Sequence, residues 1–457
     1  VRAEFRTLVI VGATGEERRW VVVGAGSAGC VVAARLSEDP HRSVTLLEAG
    51  PDLGPADLDG ALGGADFLAA LDVPGRTFDD LVATRTTGSV PLPYRRGRGT
   101  GGSSAVNAMV ALRGDPALYD AWGWSDADSA WDALQLPGDE VAAAELGPVD
   151  RALLAAAPDA ERAVLTRRDG RRVTSAEASL WPALGRPNLV VRASSPVERL
   201  EFDGRRVGGV RLDDGTFVAA DHVVLGAGAI HSPTILLRSA VDTVGIGEGL
   251  QDHPSAPLTL SLRSGAVTAP GSLVIGSLLR RDPLQFLPMN HLGAAAPGFG
   301  LLMTALMRPR SRSGTIRLDR DPSAPPIVDF ALLDHPDDAA ALVAGVREAL
   351  QLLRTPAFAE IVETTYIDAF GTTVAELRND DVIERWVRSA VGDYVHASSS
   401  CAMGRVVDDD GALVGYQGVY VCDASVFPSI PDVNTHLPTT MLAERLVARW
   451  RRADLGP

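Results

Sequence analysis

A glycine triplet, Gly24-x-Gly26-x-x-Gly29, followed by Glu48, is the first set of residues in this 457-residue chain whose types and spacing could do chemistry. The chemistry is that of holding a dinucleotide. The first glycine permits a tight turn, the second lets backbone approach a pyrophosphate, and the third lets a helix pack closely on a sheet. A helix opening at Ser27 would aim its partially positive N-terminus at the phosphate charge. An acid at the end of the next strand, here Glu48, accepts hydrogen bonds from ribose hydroxyls and repels a 2′-phosphate. These residues alone do not separate a nicotinamide from a flavin dinucleotide.

Such a loop works only between a strand and a helix, and the surrounding pattern supplies both. WVVV from Trp20 reads as a buried strand, Ser27 to Leu36 as a helix, and Ser43 to Leu47 as a second buried strand. Residues 50–95, rich in Gly, Pro and Asp, read as an irregular excursion. Short β-branched strands run from Asn188 to Leu225, broken by turns at DGRR and DDGT. The last of them, HVVLGAG, opens a helix through Leu237. Residues 256–395 mix strands and helices, notably a helix over Asp337 to Leu353. The chain closes with a strand at Val419, an irregular link, and an amphipathic helix carrying Leu442, Leu446 and Trp450. Nucleotide-binding signals thus occur at the beginning, middle and end, which predicts a discontinuous binding domain.

A second tract, RRGRGTGGSSAVNAMVALRG at 95–114, resembles the N-terminal signature of the glucose–methanol–choline (GMC) oxidoreductase family. The resemblance continues, collinearly and over nearly the whole chain, through GAGAIHSPTILLRSA (226–240), GLQDHP (249–254), YVHASSSCAMG (394–404) and VCDASVFPSIPDVNTHLPTTMLAERL (421–446). It implies an α/β fold with a discontinuous Rossmann-like FAD-binding domain (19–120, 186–255 and 396–457). It also implies an α+β substrate-binding domain with an antiparallel sheet (121–185 and 256–395). Residues 1–18 read as an N-terminal extension containing a short strand in LVIVGATG.

The same resemblance implies FAD, which no particular residue of the chain suggests to be covalently attached, and oxidation of the CH–OH group of a small-molecule alcohol, with hydride passing to flavin N5. Gly101, Gly102, Ser103 and Ser104 form a small-residue loop that lets amides and hydroxyls approach diphosphate and flavin. Asn107 falls near the flavin, Val197 at an adenine contact made through backbone, and Asp423 near pyrophosphate and ribitol; Thr435 belongs to the C-terminal tract. His396 takes the place of the family's base and His436 that of its partner. Imidazole, with an ordinary pKa of about 6.5, suits the removal of a hydroxyl proton. Pro438 fits a first helical turn, whose N-terminus would favour the anionic reduced flavin. His253 and the remaining histidines read as structural or surface residues.

Three features depart from the family pattern: Thr100 at a position usually aliphatic, Ser239-Ala240-Val241-Asp242 where Ser-Gly-x-Gly is usual, and a short span from there to Gly249. The electron acceptor stays open among O2, a quinone and a protein carrier. Overall character suggests the mycofactocin-associated dehydrogenase branch as one alternative; a flavin-binding lyase and an inactive FAD-binding protein are others.

Composition excludes several classes. A formal charge of −15 and the lack of a basic stripe argue against a nucleic-acid surface. Three scattered cysteines, Cys30, Cys401 and Cys422, form neither a disulfide framework nor a metal site, so a cytoplasmic setting is expected. Arg18-Arg19 before WVVVGAGSAGCVVAA imitates a signal peptide, but its glycines favour the strand–turn–helix reading. No segment reaches the ~18 continuous apolar residues of a transmembrane helix.

Overall fold

The structure, a computed structural model, describes residues 18–454. In chain order the elements that position the site are β1 (Arg18–Val23), α1 (Ser27–Leu36), β2 (Arg42–Leu47), β3 (Leu189–Arg192), β4 (His222–Leu225) and α2 (Gly228–Arg238). They are followed by β5 (Ser255–Leu262), β6 (Ser277–Arg281), β7 (Leu284–Met289), β8 (Phe299–Leu306), α3 (Pro336–Leu353), β9 (Val362–Tyr366), β10 (Val419–Val421) and α4 (His436–Asp454).

Five strands form a parallel sheet in the order β3-β2-β1-β4-β10. Its central strand explains the apolar run at the start: Trp20 to Val23 are all buried, because a strand at the centre of a parallel sheet is covered on both faces. Register is set by pairs such as Val21 with Thr45 on one side and with Val223 on the other. α1 packs against α4, and the Arg35–Glu444 ion pair, at 2.8 Å, ties the two helices together. The strands of this one sheet come from residues 18 to 421, so chain segments distant in sequence meet along its edge.

A second, antiparallel sheet has the order β9-β5-β8-β7-β6, continued by a short strand at Glu161–Arg162. α3 covers β8 on one face. Toward the site a separate apolar cluster gathers Met109, Val110, Leu287, Met289 and Tyr394.

Some expectations shift. β1 begins at Arg18, so that residue belongs to the sheet and not to an extension; the strand expected in LVIVGATG lies outside the described residues. Two pieces of 121–185 also leave the antiparallel sheet. The helix Ala127–Asp132 packs on α4, where Arg445 meets Asp126 at 2.6 Å, and the turn at Ala176–Leu180 packs on α1. Apolar and tryptophan-rich segments go where a helix face is open, whatever their place in the chain.

Candidate functional site

One cavity of about 760 Å³ runs between the parallel sheet's loops and the antiparallel sheet. Of the residues expected to hold a cofactor, all line it except Gly29 and Gly101, and His396 and His436 line it as well. Gly29 acts from behind. A Cβ there would lie 1.8 Å from the carbonyl oxygen of Gly24, so only glycine lets α1 sit this close to the turn. Gly101 donates its N–H to the Ala25 carbonyl at 2.8 Å, fastening the second small-residue loop to the first. Gly102 has φ +51, and a Cβ on it would stand 2.6 Å from the Gly26 Cα. The two loops therefore touch backbone to backbone, leaving the cavity wall to main-chain groups. α1 has no side-chain cap and no acid in its first turn, so its N-terminal end is electrostatically available to a phosphate.

Glu48 is buried and accepts from three backbone amides: Ala25 at 2.7 Å, Gly50 at 2.8 Å and Gly99 at 2.9 Å. It thus staples the glycine turn to two other loops. A carboxylate has about four acceptor positions, so one remains for a ribose hydroxyl. Asp423 is tied in the same way, accepting from Gly228 N–H at 2.8 Å, Ser232 Oγ at 2.5 Å and Ser425 N–H at 2.8 Å. It caps the N-terminus of α2 while facing the cavity, and burial pushes its pKa up.

Asn107 is oriented by a residue that the sequence did not single out. Its Oδ1 accepts from Arg172 Nη1 at 2.7 Å and from Met109 N–H at 3.1 Å, which leaves the Nδ2 donors for the cavity. Arg172 is fully buried, and its pKa is pushed down to about 9 by that burial. Among the described residues its Nε and Nη2 find no partner, nor does His436 Nε2. Buried polar atoms left open beside a dinucleotide cradle fit a bound polar group.

The histidines divide differently from expectation. His396 stands half-buried on the cavity wall, its Nδ1 at 2.9 Å from His253 Nδ1. Its Nε2 lies 3.5 Å from Asn434 Nδ2, a long contact that places an amide donor beside the ring's cavity edge. His436 makes no hydrogen bond to it; its Nδ1 is 3.1 Å from Ser27 Oγ at the start of α1 and its Nε2 finds no partner among the described residues. The side chain of this tract that contacts His396 is thus Asn434, where the expected partner was His436. Asn434 and His436 belong to one tract, Asn434-Thr435-His436, and the turn into α4 sends positions two apart in different directions.

The backbone around His396 is held under strain. Val395, β-branched, has φ +57, and Ser399 has φ +69. Such conformations cost about 1–3 kcal/mol and persist only where neighbours over-determine them. Arg96 donates to the Val395 carbonyl, and the Asp252 carboxylate accepts the His396 N–H at 3.0 Å. Burial, then the nearby His253 and Arg96, holds the His396 pKa well below the ordinary value of 6.5. One stretch of the wall is apolar: Ile275, Leu287, Met289 and Met303 line the cavity beside Tyr394, whose ring centroid lies 4.9 Å from that of His396. Among the described residues no helix is long and apolar enough to cross a membrane.

Comparison with known proteins agrees with this architecture. Residues 142–255 and 309–443 match the N- and C-terminal GMC oxidoreductase family models, and residues 22–83 match a NAD(P)-binding Rossmann-like domain. An uncharacterised GMC-type oxidoreductase of Rhodococcus erythropolis is 32% identical, covering 94% of this chain and 97% of its own. That alignment extends over 513 positions, more than the chain's 457 residues, so the relative carries insertions absent here. A 5-(hydroxymethyl)furfural oxidase of Methylovorus sp. is 31% identical over 93% of this chain and 97% of its own. An oxygen-dependent choline dehydrogenase of Paraburkholderia xenovorans is 30% identical over 95% and 94%. Among solved structures, pyridoxine 4-oxidase from Mesorbium loti superposes with a TM-score of 0.83 at 25% identity, covering 95% of this chain and 99% of that one. Formate oxidase from Aspergillus oryzae, 19% identical, shares the fold with a TM-score of 0.84 over 97% of this chain and 100% of its own.

Proposed function

The chain belongs to the GMC oxidoreductase family, and from that premise we propose that it oxidises an uncharged, largely apolar alcohol with His396 as the base. It is an FAD-dependent oxidoreductase acting on CH–OH donors. Bound FAD supplies the acceptor for the hydride that leaves the alcohol carbon.

The residues present fit that group. Gly24, Gly26 and Gly102 offer backbone without side chains; Glu48 retains an acceptor position for a ribose, and Asn107 presents amide donors. Val197, Asp423, Ser27, Ser103 and Thr435 complete the wall along which the cofactor would lie. In this reading the parallel-sheet segments bind the cofactor and the antiparallel sheet binds the substrate. The substrate hydroxyl sits between His396 Nε2, which accepts its proton, and Asn434 Nδ2, which donates to the oxygen as it gains charge. His436 acts at the cofactor side, against Ser27.

The observation that carries the proposal is the junction of a half-buried histidine, a facing amide and an apolar wall at the end of a dinucleotide cradle. The wall also bears on substrate class. Near His396 the carboxylate of Asp393 is committed to Arg85, so it is not free to receive a quaternary ammonium. Aromatic and aliphatic alcohols are therefore favoured over choline.

The test is an anaerobic visible spectrum of the purified holoprotein, with a panel of benzylic, furanic and aliphatic alcohols and choline. Bleaching of the flavin by an apolar alcohol is expected. Bleaching by choline alone would overturn the substrate class, and a protein that takes up no flavin would overturn the whole reading. Admitting air to the bleached sample separates an O2-using enzyme from one that needs a quinone, a protein carrier or a mycofactocin-like acceptor.

A further inference from the structure

We propose that His253 is a positioning residue, whose ring fixes His396 in the one tautomer that leaves the Nε2 lone pair facing the cavity. The inference rests on the reading of His396 as base, and it comes from proton counting along a short chain of contacts. His253 is fully buried, and its Nε2 lies 2.9 Å from the carbonyl oxygen of Pro431. A carbonyl can only accept, so His253 Nε2 carries the hydrogen. Burial pushes its pKa down to about 3 against the pull of the Pro431 and Met307 carbonyls, so the ring is neutral and its Nδ1 is a lone pair. That lone pair faces His396 Nδ1 at 2.9 Å, and a hydrogen bond of this length requires one proton between the two nitrogens. The proton belongs to His396 Nδ1. Neutral His396 then has its free lone pair on Nε2, beside Asn434 and open to substrate.

Asp252 does not do this work, although it precedes His253 in the chain and lies beside both rings in space. Its Oδ1 accepts the backbone N–H groups of His253 at 2.7 Å, Tyr394 at 3.2 Å and His396 at 3.0 Å. Its Oδ2 accepts from the Tyr94 hydroxyl at 2.8 Å. The carboxylate is saturated by groups that hold the two chain segments side by side, and the imidazole of His396 receives no bond from it. Division of labour follows: Asp252 sets the spacing of the backbones and His253 sets the protonation pattern of the ring. The arrangement also survives catalysis. When His396 takes a proton on Nε2, its Nδ1–H continues to donate to the same lone pair, so no ring need turn.

The test uses the FAD-loaded protein labelled with ¹⁵N-histidine, in which His396 is assigned by the signal lost in His396→Asn. The wild type should show the Nδ1–H tautomer at neutral pH; an Nε2–H tautomer overturns the proposal. His253→Leu removes the acceptor and should shift that signal toward Nε2–H. It should lower kcat by roughly 10- to 100-fold with KM and the flavin spectrum unchanged. His253→Gln, whose amide can accept from His396 and donate to Pro431, should recover most of the rate. A Leu variant that keeps both tautomer and turnover overturns the proposal, as does a Gln variant no faster than Leu. The base reading fails separately, by full turnover in His396→Asn, while the wild-type spectrum still decides the tautomer.

Discussion

The two ends of the cavity are built on opposite principles. At the glycine loops the working groups are backbone, and side chains matter chiefly by being absent: the second loop touches the first at Gly102 and Gly26, and α1 touches the turn at Gly29. Around His396 the working groups are side chains, each held by another side chain or by strained backbone: His396 by His253, its segment by Asp252, and Asp252 by Tyr94. The difference teaches how each end should fail. A cradle of touching backbones has no room to yield, so an added carbon displaces main chain. A constellation of side chains can lose one member and keep its shape while its chemistry collapses.

The sharpest way to break this comparison is at the cradle. Gly29→Val should abolish flavin retention, because even its first added carbon collides with the Gly24 carbonyl. The ratio of flavin to protein absorbance after purification measures it; a variant that keeps stoichiometric flavin would show that the helix is free to move away. Next comes His396→Ala, expected to lower turnover by roughly 10²–10⁴-fold while flavin stays bound. Single-turnover flavin bleaching reads this directly, and unchanged bleaching would remove His396 from the base role.

A third experiment tests the pairing of His396 with Asn434. Asn434→Ala should slow bleaching by roughly 10²-fold through loss of a donor to the developing charge. His436→Ala should leave the bleaching rate within about tenfold of wild type and instead loosen flavin, having lost one hydrogen bond. The reverse pattern would restore His436 as the reacting partner.

The smallest effect lies in the pH profile. His396 must be neutral to accept a proton, so kcat/KM falls as pH drops through its pKa in the free enzyme. Burial places that pKa well below 6.5, so the acid limb should lie on the acidic side of the free imidazole and the profile should stay flat through neutrality. A limb at or above 6.5 would show that the ring is more solvated than its surroundings indicate.

How much of this was legible in advance follows from which interactions are local. α1 was read with its observed bounds, and the second strand, the helix after HVVLGAG and the long helix near 337–353 each within a residue or two. These elements are set by apolar periodicity and glycine punctuation within a dozen residues, which the chain displays directly. The glycine loops and Glu48 were legible for the same reason: backbone conformation depends on the residue at the position and little else. The collinear motifs carried the family, and with it the cofactor and the class of reaction.

Arg172, Asn434 and the role of His253 were not legible. Arg172 lies in a short hairpin whose sequence, RRDGRR, reads as a solvated turn, yet the fold buries its guanidinium behind Asn107. A histidine signal for His253 existed in LQDHP, but its meaning depends on a ring 143 positions away. Asn434 and His436 are two apart before a helix, and no periodicity governs an irregular link. The sequence by itself determined the elements, the cradle and the chemistry that a flavin brings. Only the tertiary structure decided which side chain faces His396 and which nitrogen of that ring holds the proton. Hydrogen-bond partners are settled by three-dimensional proximity, and proximity between distant segments is written nowhere in the order of the residues.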